Sequence, residues 1–380
     1  MAIGGSSVAF SSAYFINPAN PASYMAFDSN SFVFDGGLYT RSGTLSTKTQ
    51  SQKTNFGAIS NMYFGFPVTR WWRSSLGILP YSNVGYEVQN EYVVTDVGNV
   101  VQIYKGSGGL NKAYIGNAFS LFRNFSAGIN VSYIFGNIDK EKAATFPDSA
   151  NYADAMIKSS ARFNNLFFDV GFLYRKELKS GNFIQAGLTL SPSQSIAGTE
   201  DKIAYTFIRN YISNRDVIKD TISYEPGVAS KIELPTAIGA GFMVGNSNRW
   251  FATADAHWQN WRNFSYLGTK ADLKDNLRIS LGGQFRPART DMGAYWQRVN
   301  YRLGFRYEKS YLELQSTRLN DFGISFGLGL PMKKSRSTLN LAFELGTQGT
   351  TNNGLIKDNY FRFTLGTALQ ERWFLKRRYN

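Results

Sequence analysis

Large apolar residues alternate with small or polar residues through residues 320–330. The apolar positions are Phe322, Ile324, Phe326, Leu328 and Leu330, and the positions between them are Gly323, Ser325, Gly327 and Gly329. Because successive side chains of a strand point to opposite faces, one face of this strand is wholly apolar and the other is small or polar. Such a strand suits a barrel wall with lipid on its outside and water on its inside.

The same alternation returns along the chain, and we count about 14 such strands. Short connections at residues 68–73, 178–181, 246–249 and 331–336 alternate with long ones at residues 136–162, 194–234, 259–276 and 346–359. Outer-membrane barrels show this asymmetry between short periplasmic turns and long surface loops. The pattern therefore predicts an all-β fold, a transmembrane antiparallel β-barrel spanning residues 31–380. A soluble β-sandwich or propeller is the alternative.

Two regions depart from simple alternation. Residues 75–122 are rich in Tyr, Val and Gly, and we expect two strands there with a bulge or kink near Pro80 or residues 106–109. Residues 194–232 lack a clear period, and we expect them to form the longest irregular insertion.

The first 30 residues form a separate segment in this interpretation. Their two Asn-Pro steps, at residues 17–18 and 20–21, exclude a regular helix or a central strand. Apolar residues such as Phe10, Phe15 and Tyr24 would be costly to leave in water. We therefore expect a compact segment packed against something larger, with a flexible leader as the alternative.

The composition narrows the chemistry. The 380 residues include no cysteine and a single histidine, His257, which excludes thiol catalysis, disulfides and an imidazole metal cluster. No uninterrupted run of 18 apolar residues is present, so we expect no transmembrane helix. The first residues lack a basic region, and we expect any secretion signal to have been removed or left out.

The net charge of +14 raises the question of nucleic acid as a partner. The Lys and Arg residues are dispersed along the chain instead of forming one block, so we expect no nucleic-acid binding. In a barrel they suit the lumen or rim loops that face anionic lipid headgroups. We therefore expect outer-membrane lipid and lipopolysaccharide as surroundings.

Polar side chains on the inward parity are the candidate lumen residues. Four arginines could form a basic ladder that holds an anionic headgroup, and three acids could instead pair with them to fill the lumen. These candidates are Asp169, Asp255, His257, Arg278, Arg302, Arg306, Glu344 and Arg362. Asp255, His257 and Ser280 allow a hydrolytic triad to be imagined, but no nucleophile elbow accompanies them. We expect no catalytic site and no cofactor.

Several short motifs together resemble the FadL/TodX family of outer-membrane transport proteins. The resemblance rests on two Asn-Pro-Ala steps, Asn17-Pro18-Ala19 and Asn20-Pro21-Ala22. It also rests on Leu-Pro-Thr-Ala-Ile-Gly-Ala-Gly-Phe at residues 234–242, Trp-Gln-Asn-Trp at 258–261, Asp-Asn-Leu-Arg at 275–278 and the alternating strand at 322–330. The doubled Asn-Pro-Ala arrangement is most similar to relatives from Bacteroidetes-type bacteria.

The resemblance implies a 14-stranded barrel in the bacterial outer membrane, with residues 1–30 folded inward as a plug that contains Asn17 to Ala22. It also implies uptake of hydrophobic small molecules, such as long-chain fatty acids, which leave sideways through an opening in the wall. The alternative is a non-transporting subunit of a larger outer-membrane complex, such as a barrel-assembly or protein-secretion machine. That alternative implies protein partners in place of a ligand.

Overall fold

The computed structural model describes residues 2–148, 152–210, 215–247, 249–288, 293–333 and 335–372. Its strands are β1 (Ser31–Ser46), β2 (Ser51–Pro67), β3 (Trp72–Val94), β4 (Gly98–Phe122), β5 (Phe125–Thr145), β6 (Asp154–Glu177), β7 (Asn182–Ser191), β8 (Gln194–Asn210), β9 (Arg215–Leu234), β10 (Ala237–Asn246), β11 (Trp250–Gln259), β12 (Ser265–Tyr266), β13 (Thr269–Lys270), β14 (Asn276–Phe285), β15 (Asn300–Lys309), β16 (Glu313–Leu314), β17 (Thr317–Arg318), β18 (Asp321–Pro331), β19 (Thr338–Gly349) and β20 (Lys357–Arg372). Helices are short: α1 (Tyr295–Arg298) and four 3-10 turns at Pro21–Ala26, Lys179–Gly181, Trp261–Asn263 and Asn352–Gly354. None of the described helices has the length and apolar character to cross a membrane.

Fourteen strands close into one antiparallel barrel, as the alternation predicted. Their order around the wall is β1 to β7, β10, β11, β14, β15, β18, β19 and β20. The ring closes where β20 pairs with β1 from Ser31 opposite Arg372 to Ser46 opposite Lys357. Closure gives every one of these strands two neighbours, although β3 has its second neighbour over only part of its length.

The two faces of the wall have opposite chemistry. Leu281, Leu303 and Ile324 face outward and remain exposed. Ser280 and Arg302, one position away on the same strands, face the lumen and are only 2% exposed. The hydrophobic surface therefore lies on the outside, where lipid covers it, and the lumen is polar.

Several strands are much longer than a membrane requires. β3 to β6 contain 21 to 25 residues each, whereas about 9–11 residues suffice for a transmembrane strand. Their far ends rise above the barrel at the end remote from Ser31. There β6 exchanges its neighbour β7 for β8. The far ends of β3 to β6, widened by the β8–β9 hairpin, form one sheet that we name the raised sheet.

This raised sheet corrects the expected loops. Much of residues 136–162 belongs to β5 and β6. Residues 194–210 and 215–234 form the paired strands β8 and β9, with three register shifts, instead of an irregular insertion. Residues 259–276 contain a 3-10 turn and the short strands β12 and β13. The strands were missed because above the membrane neither face needs to be wholly apolar, so the alternation weakens.

The raised sheet has its own apolar core. Phe163, Ile196 and Ile232 are buried together, and Tyr266 from the following loop packs against them. Lys140 Nζ lies 3.7 Å from the centre of the Tyr266 ring, within the range of a cation–π contact. The extension is therefore a packed layer and not a set of loose loops.

The wall opens between β2 and β3. These strands pair only from Met62 opposite Ile78 to Pro67 opposite Arg73. Beyond that point β3 keeps its pairing with β4, with a register shift between Pro80 and Ser82. This is one of the two positions where the sequence predicted a bulge or kink, and Pro80 lacks the N–H that a neighbour on β2 would bind.

Charge on the lipid-facing surface should destabilise the barrel strongly. Leu303 lies near the middle of β15 and is 61% exposed, so we expect Leu303→Arg to lower the unfolding free energy in lipid vesicles by about 2–4 kcal/mol. Val93, 81% exposed near the raised end of β3, is the control, and Val93→Arg should change it by less than about 0.5 kcal/mol. Urea titration in vesicles measures both, and equal losses would contradict the assigned orientation.

Candidate functional site in the barrel lumen

The first residues of the chain lie inside the barrel. We refer to residues 2–27 as the N-terminal segment. Its apolar side chains are buried, among them Ile3, Ala9, Phe10, Tyr24 and Phe27. Gly4 N donates to Ser325 on β18, and Phe27 accepts from Arg73 on β3. The segment therefore contacts opposite sides of the wall.

Glycines on the inner face of the wall let this segment approach closely. A Cβ at Gly128 would lie 2.5 Å from the carbonyl carbon of Pro21, and one at Gly304 would overlap the backbone of Ile3 and Gly4. The glycines with such close contacts to the segment, which we name the glycine cradle, are Gly65, Gly116, Gly128, Gly171, Gly187, Gly239, Gly241, Gly282, Gly304 and Gly327. Each stands where a larger residue would push the segment away from the wall.

The two Asn-Pro-Ala steps hold the segment in shape. Asn17 Nδ2 donates to the carbonyls of Ser7 at 2.6 Å and Phe10 at 2.8 Å. Asn20 is fully buried, and its Nδ2 donates to Val8 O at 2.6 Å. These bonds tie the two halves of the segment to each other, because both amides bind carbonyls earlier in the chain.

The second step also fastens the segment to the wall. Asn20 Nδ2 reaches Phe172 O on β6 at 3.2 Å, and Asn20 Oδ1 accepts from Ala22 N, which caps the 3-10 turn that begins at Pro21. Pro18 O accepts from Asn130 on β5 at 2.8 Å. The same Asn130 accepts from the hydroxyl of buried Tyr24 at 2.8 Å.

Ala19 is the exception among the six candidate residues of the segment. Ala19 is exposed, whereas Asn17, Asn20, Pro21 and Ala22 are buried and Pro18 is half-buried. Ala19 lies in the turn between the two prolines.

Asp255 on β11 is also used by the segment. Its Oδ2 accepts from Ser7 N at 2.5 Å and from Val8 N at 2.7 Å. Ser280 stands opposite Asp255, and Arg278 stands opposite His257. Asp255 therefore anchors a backbone turn of the segment. Among the described residues, Ser280 and His257 are not hydrogen-bonded to each other.

Arg302 is the most deeply buried arginine of the expected ladder. Its Nε donates to Gln284 and its Nη1 to Asn340, both at 2.8 Å. The guanidinium lies 5.1 Å from the centre of the Phe15 ring. Neutral amides and an aromatic ring of the N-terminal segment therefore surround this cation.

A compact ion network occupies another part of the lumen. Arg306 Nη2 lies 3.0 Å from Asp321 and 3.1 Å from Glu344, while Arg362 lies 3.6 Å from the second oxygen of Glu344. The Tyr360 hydroxyl is within 3.1 Å of both acids and accepts from Arg306 at 2.6 Å. Arg306 and Arg362 are thus paired with acids, which favours the pairing alternative and not a free basic ladder.

The remaining expected acid pairs with a residue that the sequence did not single out. Asp169 on β6 binds Lys112 Nζ on β4 at 2.9 Å. Lys112 was missed because it lies in the weakly alternating residues 75–122, whereas Asp321 and Tyr360 each lie one position before an alternating run that begins with Phe. Parity was the available signal, since Tyr360 and Arg362 are two residues apart on one strand.

A cavity remains between the segment and the wall. Its volume is about 430 Å³, and its lining includes Gly4 on one side and Arg306, Glu344 and Arg362 on the other. Pro80 also lines it, together with Ser60 and Asn61 of β2. The cavity therefore reaches the place where β2 and β3 separate, and its lining combines three charged side chains with apolar groups such as Phe343.

The close contacts in the glycine cradle can be tested by substitution. Gly304→Ala should displace the segment and speed chymotrypsin cleavage after Phe10 or Phe15, because overpacking costs about 1–3 kcal/mol. Gly366→Ala is the matched control, since its Cβ would meet its nearest atom, Gly36 O, at an ordinary 3.5 Å. Equal resistance of both variants to chymotrypsin would show that the close approach at Gly304 does not hold the segment.

Solved structures share this fold. The CymD monoaromatic hydrocarbon channel aligns with a TM-score of 0.60 and 11% identity over 98% of this chain and 96% of its own. A FadL homologue from Pseudomonas aeruginosa gives 0.60 and 13% identity over 96% and 95% of the two chains. The toluene transporter TodX from Pseudomonas putida gives 0.59 and 14% identity over 98% and 96%. At these identities the likeness shows the fold, a FadL-like barrel of the bacterial outer membrane.

The sequence comparisons give a match to a family model. No curated protein matches the chain. One family model, described as BamG, matches residues 1–380, the whole length of the sequence. The predicted origin in Bacteroidetes-type bacteria stays a prediction. With the complete chain matched and the barrel described above, the protein belongs to the BamG family.

Proposed function

We propose that this barrel is a non-transporting subunit of a larger outer-membrane complex. The observation that carries the proposal is the close contact of the N-terminal segment with the glycine cradle, which supports a plug inside the lumen. A chain built in this way supplies a rigid membrane-embedded body and an outer surface for partners. We propose no catalytic role for it.

The chemistry of the remaining cavity supports this choice. A hydrophobic ligand would have to displace water from Arg306, Glu344 and Arg362 without replacing their hydrogen bonds. Burial of a charged group without compensation is costly, so the cavity is poorly suited to a long apolar chain. Arg306 and Arg362 already pair with Glu344 at 3.1 Å and 3.6 Å, so a ligand would compete with these ion pairs.

The family assignment supports a role in a complex but does not identify that complex. Membership of the BamG family is compatible with a subunit that has protein partners. We propose a barrel-assembly or protein-secretion machine as the class of complex. Hydrocarbon or toluene passage belongs to the structural neighbours by their own descriptions, at 11–14% identity.

Passage of a hydrophobic or amphipathic small molecule is the second candidate function. The observation that favours it is the cavity lined by Pro80 and Asn61, which reaches the opening between β2 and β3. A molecule with a polar head could place the head at the ion network and its tail at the opening. Such a molecule would be smaller or more polar than a long-chain fatty acid.

Gentle detergent extraction of the native protein separates the two functions. Mass spectrometry of the extracted material should find a stoichiometric protein partner and no specific enrichment of one lipid or apolar molecule. The partner should survive size-exclusion chromatography, because stable membrane complexes bury large apolar interfaces.

The control is a second barrel protein of the same membrane, extracted in parallel to report incidental co-purification. A lone barrel that carries one specific apolar molecule would overturn the subunit proposal and support passage.

A further inference from the structure

The upper part of β3 has a free edge. β4 pairs with β3 along its whole length, from Trp72 to Val94. On the other side, β2 leaves after Ile78, and the described chain provides no strand partner for residues 79–94 there. We name residues 79–94 of β3 the free edge.

A free edge of this length is unusual for a stable protein. At about 3.3 Å per residue it runs for roughly 50 Å, and every second residue presents an unpaired N–H and C=O along it. Native proteins protect such edges with proline, lysine or bulges. Pro80 and the register shift at Ser82 protect only the base, and residues 82–94 contain neither proline nor lysine.

The side chains along the free edge form two distinct faces. Alternation places Tyr86, Val88 and Tyr92 on one face, and all three are more than 40% exposed. Glu87 and Glu91 lie on the other face together with Val93 and are also exposed. Glu87 pairs with Lys105 of β4 at 2.9 Å, and Glu91 accepts from Gln89 at 2.7 Å, so a basic partner would add to or replace these exposed contacts. The edge therefore offers an apolar row and an acidic row to the same neighbouring strand.

We propose that the free edge binds an extended segment of a partner protein by strand addition. The incoming strand would carry apolar residues opposite Tyr86, Val88 and Tyr92, and basic residues opposite Glu87 and Glu91. Backbone hydrogen bonds supply affinity in this mode, and alternate side chains supply specificity. The inference rests on the proposed function as a complex subunit, and it names the surface and the kind of segment that the partner contributes.

A second copy of this chain fits the edge less well. The antiparallel register that pairs all of residues 79–94 with their counterparts sets Tyr86 of one copy opposite Glu87 of the other. Each apolar row would then face an acidic row, and the two copies together bring four glutamates to one interface. A partner with basic residues satisfies both rows, so a different protein is the occupant that we propose.

Hydrogen–deuterium exchange on the extracted complex tests this inference. We compare the complex with the isolated chain, and we expect the exposed half of the amides in residues 82–94 to exchange about tenfold more slowly in the complex. Val88→Lys combined with Tyr92→Lys should abolish both the protection and the recovery of the partner. Ile222→Lys is the matched control, because Ile222 is 65% exposed on β9 at the opposite edge of the same raised sheet.

Each outcome separates the inference from the function on which it rests. A stoichiometric protein partner without protection of residues 82–94 would overturn strand addition and leave the subunit proposal intact. Loss of the partner in the Ile222→Lys variant alone would overturn the choice of edge. Protection produced by a homodimer would overturn the choice of occupant. Absence of any protein partner would overturn the proposed function itself, and this inference with it.

Discussion

The structure depends on the contact between the backbone of the N-terminal segment and the inner wall of the barrel. Gly304 and Gly282 admit residues 3–4, while Gly128 and Gly171 admit the turn that contains Asn20 and Pro21. Without a Cβ on these strands, two backbones can approach to van der Waals distance and exclude water between them. The lumen of a 14-stranded barrel is wide enough for water, so this close packing decides whether the barrel is filled or open.

Close packing would be costly if it left polar groups unpaired. Asn17 and Asn20 satisfy carbonyls within the segment, and Asp255 accepts two of its N–H groups. Arg302 and the ion network around Glu344 are paired with other wall residues. The wall and the segment thus satisfy many of one another's buried polar groups, although Asp255 Oδ1 and Arg302 Nη2 have no hydrogen-bond partner among the described residues. The free edge of β3 differs, because a whole row of its backbone groups has no strand partner in the described chain, and this contrast directs attention to a partner there.

Much of this architecture follows from the sequence, for a physical reason. Where lipid faces the outside of a strand, every second residue must be apolar, and the run from Phe322 to Leu330 therefore identifies both a strand and its inward side. That parity assigned Arg302, Arg306, Glu344 and Arg362 to the inner face, and in the structure Arg302 is buried while the other three line the cavity. It did not reveal their partners, because the pairing of Asp169 with Lys112 depends on the stagger of strands 57 residues apart. The raised hairpin of β8 and β9 was taken as irregular, since above the membrane the apolar rule relaxes. In the sequence, Pro80 was the only sign that β2 and β3 separate early.

Ion conductance across planar lipid bilayers tests the central claim most directly. The purified barrel should conduct almost no current, because the N-terminal segment packs against the glycine cradle on the inner wall. A variant that lacks residues 2–27 and still forms the barrel should open steady channels, since the cradle would then contain water. Steady conductance by the intact protein, equal to that of the shortened variant, would contradict a filled lumen and with it the account of this barrel as a structural subunit.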